Sequence, residues 1–93
     1  MTSDRRYRAV KALLESGNIK GFNDILDIIP VTVIRRDMGL NHKSILTRLA
    51  NSEAFTMKDL LKLAELIECD PHLIIELTLA EIEKQRKGKK AKN

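Results

Sequence analysis

The chain has 93 residues, enough for one domain burying roughly 60 to 65% of its unfolded surface, so every element shares a single core and a separate cofactor domain does not fit. Aromatic residues make up 3% and Trp is absent, while Leu, Ile and Val number 26; with four Gly and two Pro, this favours an aliphatic helical core over a turn-rich β fold. The net charge of +4 is unevenly spread, because six cations and no acid follow Glu83 while residues 1–83 carry −2, so the placement of charge bears on partners more than its total.

The single Cys69 excludes an intrachain disulfide, and the start MTSDRRYR lacks the apolar stretch of a signal peptide. The longest apolar region, residues 22–34, is interrupted by Asp24, Asp27 and Pro30 and is too short to span a bilayer. A reducing, cytoplasmic setting is the expectation.

In chain order, Ser3 or Asp4 can cap a first helix running to about Ser16, with Val10, Leu13 and Leu14 on one face and Gly17 as its stop. Phe22, Ile25, Leu26 and Ile29 recur at i, i+3, i+4 and i+7, a helical stripe that Pro30 ends. A third helix from about Val31 to Met38 places Val31, Ile34 and Met38 on one side, and Gly39 can take the positive φ of a sharp turn. Asn41 caps a fourth helix, about His42 to Asn51, whose apolar residues are Ile45 and Leu49 and whose remaining surface is polar and basic. Thr56 and Asp59 resemble a capping box for a fifth helix with Met57, Leu60, Leu61, Ala64 and Ile67 inward. Asp70 and Pro71 supply an N-cap and an N1 proline for a sixth helix, about Pro71 to Arg86, that frays into a lysine-rich end.

The sixth helix carries two apolar stripes on roughly opposite sides, Leu73, Ile74, Leu77 and Ala80 on one and Ile75, Leu79 and Ile82 on the other. It therefore needs two partners: the core, and either the first helix or a second protomer. The expected architecture is all-α, a compact bundle of about six helices over residues 1–87 followed by a basic flexible tail, 88–93.

Two short helices separated by Gly39 and followed by two strongly periodic ones have the order of a helix-turn-helix DNA-binding unit, here about residues 31–51. In that geometry the second helix enters the major groove and offers His42, Lys43, Ser44 and Thr47 to base edges, with Asn41 at its cap. Thr32, Arg36, Arg48, Asn51 and Lys58 are candidate phosphate contacts, Lys58 because the amides at the start of the fifth helix favour an anion. Arg48, at mid-helix, could equally pair with an acid on a neighbouring helix. Residues 35–50 carry a net +3 and residues 51–83 a net −6, so a dipolar domain would present its helix-turn-helix face to phosphate.

The stretch IPVTVIRRDMGLNHKSILTRLANSEAFTMKDLLKLAELIECDPHLIIEL resembles the repressor-like helix-turn-helix domains of the phage lambda repressor and Cro class, the xenobiotic-response-element class. The likeness covers about residues 22–79 and is nearest to regulators with the pattern IPxTxVAxDLGxNYxxL followed by FTLKDxxxLAxL. It implies a turn role for Gly39, a cap role for Asn41 and a buried position in the recognition helix for Ile45. This sequence departs from the pattern at Arg35, where the family prefers Ala; at Arg48, a position often apolar; and at His42, where Tyr is usual. A guanidinium at Arg35 cannot be buried unpaired, so its stem must snorkel outward or the helices must splay.

Other chemistries find little support. Cys69 and His72 have C-x-x-H spacing, but a second pair of ligands is missing, so no metal or cofactor is expected. No nucleophile stands beside a base, and Asp24 and Asp27 read as solvated helix residues, so an enzyme is not expected. Tyr7, Phe22 and Phe55 are scattered and offer no platform for stacking single-stranded bases. The expected function is a sequence-specific, double-stranded DNA-binding transcriptional regulator of the repressor type, acting on a palindromic operator as a homodimer formed through Ile75, Leu79 and Ile82. The competing reading is a protein-interaction module such as the antitoxin of a toxin–antitoxin pair. The basic tail either adds non-specific phosphate affinity or is a solvated end.

Overall fold

A computed structural model describes residues 4–91, which form six helices: α1 (Arg6–Glu15), α2 (Phe22–Leu26), α3 (Val31–Met38), α4 (His42–Ala50), α5 (Met57–Ile67) and α6 (Pro71–Ala91). A 3₁₀ turn, Ser52–Ala54, joins α4 to α5, and the described residues contain no strand. The all-α bundle of about six helices is thus the fold of this chain.

The helix ends follow from local chemistry. At the start of α1, the Asp4 carboxylate accepts the Arg6 N–H at 2.9 Å and its carbonyl accepts the Tyr7 N–H at 3.1 Å. Ser3, the alternative cap, lies outside the described residues. At the end of α3, Gly39 adopts φ 71°, and the Gly39 and Leu40 N–H groups fold back onto the carbonyls of Arg36 and Arg35 at 3.1 and 3.0 Å. This is the paired bonding that a left-handed residue just past a helix permits, and it sets the sharp turn into α4. Helix α5 ends in the same way on Glu68, at φ 65°, although that residue carries a side chain. Its start is a complete capping box: Thr56 Oγ1 accepts the Asp59 N–H at 3.0 Å while Asp59 accepts the Thr56 N–H at 3.0 Å.

Helix α2 has no cap of its own. Glu81, from α6, accepts the Phe22 N–H at 3.0 Å, so the first turn of α2 is closed by a residue 59 positions away. Gly21 sits beneath that carboxylate, and a Cβ there would collide with Glu81.

The core is aliphatic with aromatic inserts. Ile25, Ile29, Ile67 and Ile74 are at most 2% exposed, each contributing roughly 1.5 to 3 kcal/mol by burial. Phe22 packs on Phe55 with ring centroids 5.2 Å apart. Tyr7 is buried, and its hydroxyl donates to Asp37 at 2.9 Å, tying α1 to the last turn of α3. Burial, reinforced by this carboxylate, raises the phenol pKa above its ordinary value.

Several local expectations shift. Helix α2 stops at Leu26, four residues before Pro30, and α4 stops at Ala50 with Asn51 as its C-cap. Leu13 lies at the exposed margin of α1. In α5, Met57 and Leu61 point outward and Leu63 joins Leu60, Ala64 and Ile67 inside, because the helix is rotated from the most apolar stripe. In α6, Ala80 is exposed and Thr78 is buried instead, its hydroxyl satisfied by the Ile74 carbonyl at 2.8 Å. Helix α6 extends beyond its expected end near Arg86, through Gly88 to Ala91, since Lys and Ala have good helix propensity. Residues 92 and 93 of the expected tail lie outside the described residues. No helix among the described residues is long and apolar enough to cross a membrane.

Candidate functional site

Helices α3 and α4 pack on one another across the three-residue turn Gly39 to Asn41, and α3 also packs on α5. Asn41 Oδ1 accepts the Ser44 N–H at 2.8 Å, closing the first turn of α4 with the side chain expected to do so. Ile45 is 1% exposed and anchors the helix, with Leu49 half-buried one turn later. A small apolar cavity of about 20 Å³ lies beneath, lined by Ile34, Ile45, Leu49 and Phe55 among others.

The outward face of α4 presents Lys43, Leu46, Thr47 and Ala50, all exposed, with His42 exposed beside them at the first turn. Ser44, expected with the base-reading residues, is half-buried at the flank of this face and its carbonyl accepts from Arg48 at 3.2 Å. Between Leu40 and Ser52 there is no acidic residue. The flanking acids are engaged: Asp37 by Tyr7 and by Arg36 at 3.2 Å, Glu53 by Arg86 at 2.8 Å, and Asp59 by Arg48 and by its own capping box. The exposed face of α4 therefore carries one cation, Lys43, and no acid.

Arg48 is drawn inward rather than presented on this face. Its Nε lies 2.7 Å from Asp59 Oδ2 and its side chain is 20% exposed, so of its two expected roles it takes the pairing one. Burial pushes the Asp59 carboxyl pKa up, but the Thr56 N–H and the Arg48 guanidinium outweigh it and hold the group below its usual value. This pair bolts the middle of α4 to the first turn of α5.

Among the other candidate phosphate contacts, Thr32 is exposed at the start of α3, Arg36 is exposed on α3 and Lys58 is exposed in the first turn of α5. Asn51 is exposed at the end of α4, where its N–H reaches the Thr47 carbonyl at 2.9 Å. Arg35 is half-buried, and its guanidinium reaches the Leu40 carbonyl at 3.4 Å, so it finds a polar partner within the turn it was expected to disturb.

No family model, curated protein or solved structure matches the chain.

Two contributors were missed from sequence. Leu46 lies outside the apolar pair Ile45 and Leu49 expected for this helix and is 45% exposed on its outward face. Gln85, on α6, accepts the Ser52 N–H at 2.9 Å and donates to the Leu49 carbonyl and Ser52 Oγ, each at 3.3 Å, so it fixes the C-terminal end of α4 from a distance of more than 30 residues. Nothing local in the sequence marks Gln85 out; only its inward position, half-buried next to the 1%-exposed Ser52, gives it that role.

The third expected group lies elsewhere. Leu79 is 60% exposed on α6, with Ile82 half-buried beside it in a shallow concavity that Glu83, Arg86 and Lys87 complete, while Ile75 packs partly on the core. Among the described residues there is no group of three His, Cys, Asp or Glu side chains able to hold a metal ion. Burial, with Glu15 and Asp70 nearby, raises the Cys69 thiol pKa, which leaves it a poor nucleophile at neutral pH.

Proposed function

We propose that the chain is a sequence-specific, double-stranded DNA-binding regulator of the repressor type, a helix-turn-helix protein related to the lambda repressor and Cro class, with α4 as its recognition helix. The observation that carries this reading is the outward face of α4: a polar, acid-free helix surface bearing Lys43 and Thr47, held by Asn41 at one end, Arg48–Asp59 in the middle and Gln85 at the other. Such a face can donate hydrogen bonds to base edges from Lys43 and Thr47 while Thr32, Arg36, Asn51 and Lys58 approach phosphates. One short helix makes few base contacts, so a homodimer reading two half-sites about 10 base pairs apart is the economical arrangement, with Leu79 at the centre of its interface.

The test is selection from a random duplex library followed by binding of the recovered sequence. Lys43→Ala and Thr47→Ala should each weaken binding to that sequence by about 5- to 150-fold, corresponding to roughly 1 to 3 kcal/mol, with a smaller loss on random DNA. Equal losses on both would remove these residues from base reading. Leu79→Glu should convert a dimer to monomers in sedimentation while leaving the helical signal intact; an unchanged dimer would assign the interface elsewhere.

A second reading, a protein-interaction module such as an antitoxin, is favoured by one feature. Leu61 and Met38 line a groove of about 440 Å³ between α3 and α5, with Leu61 48% and neighbouring Met57 56% exposed. Failure of every duplex in the selection would favour that reading.

A further inference from the structure

Leu46 sits on the α4 face among Lys43, Thr47 and Ala50, at 45% exposure, and so contributes little to the core. A singly exposed Leu is ordinary; the surroundings of this one are not. Lys43 lies one turn before it, the stretch from Leu40 to Ser52 contains no acid, and Ala50 one turn later leaves room for a close approach along the same face. A surface of this kind suits a polyanion that also displays an apolar group. In the DNA major groove that group is the C5-methyl of thymine, the one apolar feature among the base edges displayed there.

We propose that Leu46 is a specificity-determining residue that packs against a thymine methyl group in the major groove; this rests on the DNA-binding reading above. The spacing fits. Lys43 and Leu46 are separated by about 4.5 Å along the helix axis, against about 3.4 Å per base pair, so a guanine contacted by Lys43 and a thymine contacted by Leu46 would fall within about two base pairs of each other. Thr47, adjacent to Leu46 on the same face, supplies a second methyl and a hydroxyl at the edge of that contact.

The experiment uses the duplex recovered by selection from a random library, with each thymine replaced in turn by deoxyuridine, which deletes only the methyl. For the wild-type protein, one position per half-site should lose about fourfold in affinity, the value of one buried methyl group. For Leu46→Ala the same replacement should change affinity by less than about 1.5-fold. A scan with no sensitive position in the wild-type protein, or an equal fourfold loss in Leu46→Ala, overturns the proposal while leaving DNA binding standing. Should no duplex be recovered, the DNA-binding reading fails and the proposal falls with it. If Leu46→Ala melts early, both scans are run below its melting midpoint, where the folded variant must still lose the sensitivity that the wild type shows.

Discussion

Replacing Gln85 with Leu tests how α4 is held. The amide of Gln85 serves three groups at once: the Ser52 N–H at 2.9 Å, and the Leu49 carbonyl and Ser52 hydroxyl at 3.3 Å each. Ser52 is only 1% exposed, so water cannot simply take over. The orphaned N–H costs about 1 to 3 kcal/mol, and the two longer bonds add about 0.5 kcal/mol apiece, since a hydroxyl can rotate and a carbonyl tolerates one empty lone pair. Greater apolar burial of Leu offsets part of this, leaving a net loss of about 2 kcal/mol. In a domain of this size that lowers the melting midpoint by roughly 8 to 16 °C.

Urea unfolding followed by circular dichroism measures the loss directly, with the slope m unchanged if only the native state is affected. Gln85→Glu keeps the acceptor facing the Ser52 N–H but sets a carboxylate oxygen against the Leu49 carbonyl, so it should fall between wild type and Gln85→Leu. Ser52→Ala should cost less in the Gln85→Leu background than in the wild type, because both residues belong to one network. A Gln85→Leu protein within about 0.5 kcal/mol of wild type, or full additivity with Ser52→Ala, would refute the reasoning and show that the link between α6 and α4 carries no energy.

Glu68 holds a left-handed conformation at φ 65°, a strain of roughly 1 to 2 kcal/mol for a residue with a Cβ, against roughly 0.5 to 1 kcal/mol of extra unfolded-state entropy for glycine. Glu68→Gly should therefore stabilise by about 0.5 to 1 kcal/mol, visible as a melting temperature a few degrees higher; an unchanged or lower value would mean that Glu68 makes a compensating contact. Asp59 has its pKa held below the usual value in the folded state, so its contribution is present above the unfolded pKa near 4 and is lost as pH falls through the folded pKa. Asp59→Asn should be less stable than wild type by about 1.5 to 3 kcal/mol at pH 7, with the gap closing in acid; a gap independent of pH would place the effect in packing rather than charge.

What could be read from sequence was what short windows determine. Gly39 needs a left-handed turn, Asn41 reaches a backbone N–H three residues on, and Thr56 with Asp59 closes a box within one turn, so all three were legible. The partner of Arg48 is 11 residues away, those of Gln85 are 33 and 36 away, and that of Glu81 is 59 away; none follows from periodicity, because each depends on how helices pack. The inward face of α5 was misjudged for a related reason. Met57, Leu60, Leu61, Leu63, Ala64 and Ile67 span more of the helix circumference than the core accepts, and the side on which α1, α3 and α6 close decides that Leu63 enters while Met57 and Leu61 stay out. Helix α6 runs past the expected fraying point near Arg86, because an open, solvated glycine at position 88 weakens a helix by only about 1 kcal/mol.

The tethers on α4 also bear on how two copies would act together. Asn41 and the Arg48–Asp59 pair fix the helix within its own half of the domain, but Gln85 fixes it to α6, the same helix that exposes Leu79. Leu79 and Gln85 lie six residues apart on one continuous helix, about 9 Å along its axis. If α6 forms the dimer interface and α4 reads DNA, each α4 is referred to the two-fold axis through α6 and the Gln85 amide, which meets α4 at the Leu49 carbonyl and at Ser52 just past its end. Half-site spacing would then be set by α6 itself. An energetic role for Gln85 would accordingly extend beyond the stability of one subunit to the geometry with which a pair of α4 helices meets successive grooves.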